Sequence, residues 1–212
     1  MTDAHLSNDE IAAAGLADWR PIAGALLTRW RTKDFATGLR LANAIGAAAE
    51  AANHHPDLDL RYDHLGVRLR SHDVFGITTR DVELARTISA LAAEQGVTAD
   101  PTAVSVVELA LDTPDEAALK PFWRTVLGYR DHPHATDEIR DGDGDGPAIW
   151  FQTSGSDEPR QRWHLDVRVP AEVAEQRIAD AVAAGGTVVD RAPTFVVLAD
   201  AEGNKACICT CP

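Results

Sequence analysis

Apolar and polar positions change their spacing several times along the first hundred residues, and each change predicts an element. Residues 8–17 predict a short helix with Ser7 or Asn8 as N-cap. From Trp19 to Trp30, the apolar Ile22, Leu26, Leu27 and Trp30 are interrupted by Pro21 and Gly24, a β-hairpin signature. Asp34 then caps an Ala-rich helix in which Phe35, Leu39, Ala42, Ile45, Ala49 and Ala52 follow helical spacing. That helix ends at His54-His55-Pro56, because proline disfavours helix in the residue before it. Residues 58–71 predict two extended pieces; in the second, Val67, Leu69 and Ser71 alternate with Arg68, Arg70 and His72. Thr78-Thr79-Arg80-Asp81 reads as a capping box opening a last helix, whose stripe is Val82, Ala85, Ile88, Ser89 and Ala92 and whose stop is Gly96.

Residues 98–103, with Asp100-Pro101, are expected to link this domain (1–97) to a second (104–212). The second half repeats itself. Strand 104–111, helix 114–127 and room for three strands in 129–153 are followed by strand 163–169, helix 171–184 and room for three strands in 187–211. Two βαβββ modules fit 104–153 and 162–211. The fold class is therefore α+β: an antiparallel sheet covered on one face by helices, then a domain of paired βαβββ modules.

Composition adds limits. The chain has 212 residues, 45% of them hydrophobic and 25% charged, enough for packed cores. Its 33 acidic against 20 basic residues give a net charge of −13. Such a surface repels nucleic acid and anionic membranes, so neither is an expected partner. No apolar run approaches the ~20 residues that span a bilayer. The start, Met1-Thr2-Asp3-Ala4-His5, has no signal-peptide pattern, giving the expectation of a soluble cytoplasmic protein. Cys207, Cys209 and Cys211 cluster at one end and alternate, which favours a buried strand face over a disulfide framework. Asp141 to Gly146 mimics the start of an EF-hand loop, but Gln152 stands at the twelfth position, so a solvated turn is expected.

Glu50, Asn53, His54, His55, Tyr62, Arg70, Ser71, His72, Asp73 and Asp81 form the densest set of chemically capable side chains. Histidine changes charge near neutral pH, and several histidines around one cleft suit a reaction that protonates one group and deprotonates another. The spacing alone leaves three readings: an acid–base site, helix-end and capping residues, or a metal site. Adjacent histidines at a helix end diverge, which disfavours the last.

These residues also resemble the pterin-4a-carbinolamine dehydratase family. Glu50, His54-His55-Pro56, Tyr62, His72 and Asp81 fall at the family's spacing, with Gly76-Ile77-Thr78 and Trp30-Arg-Thr-Lys-Asp34-Phe35 in support. The resemblance covers residues 5–96. It implies dehydration of 4a-hydroxytetrahydrobiopterin to quinonoid dihydropterin by histidine acid–base catalysis, without metal or redox cofactor. His54, His55, His72 and Asp81 are then catalytic candidates, and Asn53, His54, His55, Arg70, Ser71, His72 and Asp73 line the pterin pocket. It also implies a homo-oligomer. Asp57-Leu58, Arg70, Ser71 and Asp73 depart from the commoner family residues, which bears on the pterin side chain accepted. A non-catalytic pterin-binding or assembly module is the alternative.

Residues 104–211 resemble the glyoxalase/bleomycin-resistance superfamily, also called vicinal oxygen chelate. The resemblance rests on Phe122-Trp123-Arg124, Leu127-Gly128-Tyr129, Trp163-His164-Leu165-Asp166-Val167 and Leu198 to Asn204. It implies ligand positions near Glu108, Gln152, His164 and Cys207, a poor mixed set for Zn²⁺, Mn²⁺ or Fe²⁺. The expectation is no metal, with His164 lining a cleft. A metal-dependent lyase or dioxygenase seated here is the remaining alternative.

Overall fold

The computed structural model describes residues 4–142, 144, 146–154, 163–199, 203 and 205–210. The chain divides after Val104 into two compact units.

In the first unit, α1 (Asn8–Ala13) begins at Ser7, whose hydroxyl and the Glu10 carboxylate form a reciprocal capping box. It is shorter than the expected 8–17, since Gly15 turns into the left-handed region (φ 65°). β1 (Arg20–Ile22) and β2 (Ala25–Arg31) form the expected hairpin. Its two-residue turn, Ala23 and Gly24, holds positive φ at both positions, which matches the twist of the flanking strands. α2 (Phe35–Ala52) starts at Asp34, which accepts from the Thr37 N–H at 2.8 Å, and ends in Asn53 at φ 48°. β3 (Asp57–Leu60), β4 (His64–Leu69), α3 (Thr79–Glu94) and β5 (Thr98–Ala99) follow. The sheet order is β1-β2-β4-β3, all antiparallel, with β5 on the β1 side of β2.

Leu26 and Trp30 of β2 and Leu65, Val67 and Leu69 of β4 are buried in one core with Leu41, Ile45 and Ala49 of α2 and Val82, Ala85, Ile88 and Ala92 of α3. Trp19 meets Trp30 edge to face at 6.3 Å and donates its indole N–H to Ser89. This geometry suits the ring quadrupoles and satisfies the polar end of Trp19.

Two expectations are corrected. The buried face of α2 is Gly38, Leu41, Ile45 and Ala49; Phe35 and Leu39 are 48% and 46% exposed and Ala52 is also exposed. On that face the helix comes close to Leu60 at Gly38, where a Cβ would lie 2.6 Å from Leu60 Cδ1. Residues 98–103 are not a free linker: β5 pairs with Trp30 and Arg31, and Asp100 forms an ion pair with Arg31.

The second unit holds β6 (Val106–Thr113), α4 (Glu116–Leu127), β7 (Arg130–Asp131), β8 (Glu138–Arg140) and β9 (Ile149–Thr153). The second module is β10 (Trp163–Arg168), α5 (Ala171–Ala183), β11 (Thr187–Arg191), β12 (Phe195–Ala199) and β13 (Lys205–Cys209). The strands join into one sheet in the order β11-β12-β13-β10-β6-β9-β8-β7. Each module pairs its first strand parallel with its last, and the two first strands meet antiparallel. The expected paired βαβββ architecture is present. Strand alternation sorts the faces. Leu111, Ile139, Ile149 and Phe151 form one apolar cluster with α4 residues, and Val169, Val196, Leu198 and Ile208 another with α5 residues. The opposite face carries the polar residues considered below.

Among the described residues, no helix is long and apolar enough to cross a membrane. Asp143, Asp145 and Cys211 lie outside the described residues, as does most of the Asp200–Asn204 segment.

Candidate active site

α2 breaks at Asn53, whose left-handed conformation lets the following histidines leave the helix axis. The His54 N–H still reaches back to the Ala49 carbonyl, so its ring is carried by the helix end. That ring is 7% exposed, and its Nε2 lies 2.7 Å from Asp81 Oδ1 in the first turn of α3. Asp81 is fully buried. Its second oxygen, Oδ2, accepts from the Ser71 hydroxyl at 2.8 Å, from the Thr78 N–H at 2.8 Å and from the Thr78 hydroxyl at 3.3 Å. The Ser71 and Thr78 hydroxyls are themselves 2.8 Å apart. A carboxylate in the interior needs such a set, because each unmatched lone pair would cost desolvation free energy. An ionised carboxylate only accepts, so His54 Nε2 is the donor in this bond.

Asp81 therefore does two things at once. Oδ2 closes the capping box of α3, as the sequence predicts. Oδ1 fixes a histidine 27 positions earlier, which the sequence reading did not anticipate. Ser71, expected to line the pocket, is fully buried, with its hydroxyl held by Asp81 and Thr78. It supports the carboxylate from beneath.

Of the other candidates, Arg70 is half-buried and the rest are exposed. His55 contacts Glu50 at 3.2 Å through Nε2, and Tyr62 is 75% exposed on the β3–β4 turn. His72 is exposed at the start of the tight turn that begins at Ser71, which bridges to Gly76. Asp73 accepts from Arg80 at 2.6 Å, and that guanidinium holds its carboxyl below the usual range, with His54 adding a smaller pull. Arg70 stacks over the Phe75 ring at 5.1 Å. Phe75 adopts φ 53°, uncommon and strained for a bulky residue. Phe75 and Thr78 were absent from the expected site. An aromatic beside Gly76 in a short turn was the available signal for the first, and the N-cap position for the second.

In the second unit, a cavity of about 410 Å³ opens on the polar face of the sheet. Gln152, His164 and Cys207 line it, whereas Glu108 is in an ion pair with Arg168. Asp112 and Asp166, absent from the expected set, line it instead. His164, Asp166 and Cys207 bring potential ligand atoms within 4.8 Å of one another. Their existing bonds fit a resident metal poorly. Asp166 Oδ2 accepts the Trp150 indole N–H at 3.1 Å, Glu108 is held by Arg168, and Gln152 is a weak neutral donor. Burial, with the Asp166 carboxylate beside it, pushes the Cys207 thiol up to about 12. A thiol so protonated is a slow nucleophile. Iodoacetamide at pH 8 should thus label Cys207 far more slowly in native than in urea-unfolded protein, read by peptide mass spectrometry.

The same thiol makes stability pH-dependent. An unfolded cysteine ionises near pH ~8.5. The folded form keeps its proton to about 12, so this contribution is complete below the unfolded value and is lost as pH rises through that window. The urea midpoint of the second unit should fall between these limits, and less steeply in Cys207→Ala.

Comparison with known proteins divides the chain at the same place. The family model for pterin 4 alpha carbinolamine dehydratase matches residues 4–91, and that for a glyoxalase-like domain matches residues 108–209. A protein of Thermosynechococcus vestitus named "putative pterin-4-alpha-carbinolamine dehydratase" is 39% identical over 83 residues, which are 39% of this chain and 87% of that one. A protein of the same name from Nocardia farcinica is 36% identical over 94 residues, 43% of this chain and 99% of its own. A crystal structure of a transcriptional coactivator/pterin dehydratase from Brucella melitensis aligns with 42% of this chain and 99% of its own, at 28% identity and a TM-score of 0.41. The chain belongs, through its first domain, to the pterin-4a-carbinolamine dehydratase family, and joins to it a second, glyoxalase-like domain.

Proposed function

We propose that the first domain dehydrates a 4a-hydroxytetrahydropterin to the quinonoid dihydropterin. The carrying observation is the His54–Asp81 hydrogen bond, 2.7 Å long and buried, which locks one histidine while leaving His55 and His72 open to a substrate. In the reaction the C4a–O bond breaks and the hydroxyl departs as water, N5 loses its proton, and the N5–C4a double bond forms. One histidine donates to the leaving oxygen and another accepts from N5. The three histidines, two exposed and one fixed by a carboxylate, suit that pair of transfers. Asp81 acts through His54 as a positioning residue, with Ser71 and Thr78 behind it. Asn53, Arg70 and Asp73 border the pterin, and no further cofactor enters the reaction.

The test follows loss of the carbinolamine absorbance with the whole chain present and absent. Acceleration well above the spontaneous rate is expected. A rate equal to the spontaneous one would leave a non-catalytic pterin-binding module.

We further propose that the protein self-associates. Phe35 and Leu39 on α2, with Leu58 on β3, are large apolar side chains left exposed. Light scattering should find an oligomer that Leu39→Glu dissociates; a monomeric wild type would refute this.

A further inference from the structure

Glu108 and Asp166 face each other across the two central strands of the second unit, as a directly opposed pair of β6 and β10. Both are nearly buried, at 9% and 6% exposed. Like charges placed directly opposite repel, and more strongly out of water. The two carboxylates are offset in different ways. Asp166 accepts from the Trp150 indole N–H and the Cys207 thiol, and its Oδ1 is 3.6 Å from His164 Nε2. Glu108 Oε2 accepts from the Nε–H of Arg168, which lies two positions beyond Asp166 on the same face of β10.

Without that guanidinium, the donors at the centre of this face would be two carboxylates, an imidazole and a thiol. His164, Asp166 and Cys207 already bring ligand atoms within 4.8 Å of one another. Cross-strand pairing puts Glu108 next to Asp166. Oxygen, nitrogen and sulfur donors in such a group are the composition that holds Zn²⁺. The carboxylate that would complete the set is the one bonded to Arg168.

We propose that Arg168 is a built-in cation standing in for a divalent metal ion: by holding Glu108, it keeps Glu108, His164, Asp166 and Cys207 from closing on one. The cavity beside them is then a pocket without Lewis-acid chemistry, in which side chains alone meet a small molecule. A guanidinium suits this role, because it stays charged across the working pH range and bonds a carboxylate in a fixed geometry. The inference concerns the second domain alone and holds whatever the first domain catalyses.

The experiment uses the full chain, stripped with a chelator, and titrates Zn²⁺ by calorimetry and Co²⁺ by absorbance, where a thiolate ligand adds a charge-transfer band. Cys207→Ser identifies the binding that belongs to this site. The wild type should take up no Cys207-dependent equivalent of either ion. Arg168→Met should gain one, about a hundredfold or more tighter than wild type, since it loses an opposing charge and frees a ligand. Glu108→Gln in that background should weaken it roughly tenfold or more. Arg168→Lys, which keeps the charge, should stay closed to both ions. Melting curves confirm that each variant folds, and Arg168→Gln, with the same expectation, replaces Arg168→Met if the methionine does not. Cys207-dependent Zn²⁺ uptake by the wild type overturns the proposal. So does a folded Arg168→Met or Arg168→Gln without the gain, or Arg168→Lys binding as tightly as Arg168→Met.

Discussion

His72→Ala is expected to lower the turnover of pterin carbinolamine by about 10²-fold or more, the usual scale for losing a positioned general acid or base. His72 is exposed, and its flanks are held independently of it. Ser71 is bonded to Asp81 and Gly76, and Asp73 to Arg80. Removing an exposed imidazole from a turn so fixed should leave the melting temperature unchanged, since surface substitutions usually fall within about 0.5 kcal/mol. The pairing of a large rate loss with an unchanged melt assigns the effect to chemistry. His54→Ala could not separate the two, because it also strips the buried Asp81 of a donor. A His72→Ala rate within threefold of wild type would remove His72 from the reaction.

Asp81→Ala should have the largest effect on the fold, about 3–5 kcal/mol of first-domain stability, as when one partner of a buried charged network is removed. One substitution leaves the His54 ring N–H and the Thr78 backbone N–H without this acceptor and takes from the Ser71 hydroxyl one of its two partners. It also removes half of the α3 capping box, by itself worth about 1 kcal/mol. Urea unfolding followed through the Trp19–Trp30 pair, both buried in this core, reads the loss directly. Asp81→Asn should recover part of the stability but little activity, because its amide must turn an N–H toward one of these donors. A loss below 1 kcal/mol for Asp81→Ala would mean that the network does not hold the two helices in register.

Both expectations depend on a pair of residues that the sequence presents separately. Asp81 is legible as a capping acid because a cap is a local pattern of four residues. Its second partner is 27 residues distant and becomes visible only when α2 and α3 pack side by side. Ser71 was misplaced for the same reason. Alternation put it on the side of Val67 and Leu69; that side is buried, and burial here means contact with Asp81.

Elsewhere the division follows how local each signal is. The hairpin, the caps at Asp34 and Thr78 and the two βαβββ modules were readable, because turn residues, N-caps and period-2 alternation act within a few residues. The inward face of α2 was not, since an Ala-rich helix offers nearly equal apolar stripes. Packing of Leu41, Ile45 and Ala49 into the core shared with β2, β4 and α3 chose among them. The β5 pairing was hidden because Asp100-Pro101 signals a chain break, whereas two ladder positions on β2 depend on a distant strand edge. In the second domain, alternation put His164, Asp166 and Arg168 on one face. Only the sheet order placed Cys207 beside Asp166 and Glu108 across from it, which gave Glu108 to Arg168 and left Asp112 at the cavity. Sequence by itself determined the elements and the residues capable of chemistry. Which of them meet was decided by packing between strands and helices far apart in the chain, where no local propensity reaches.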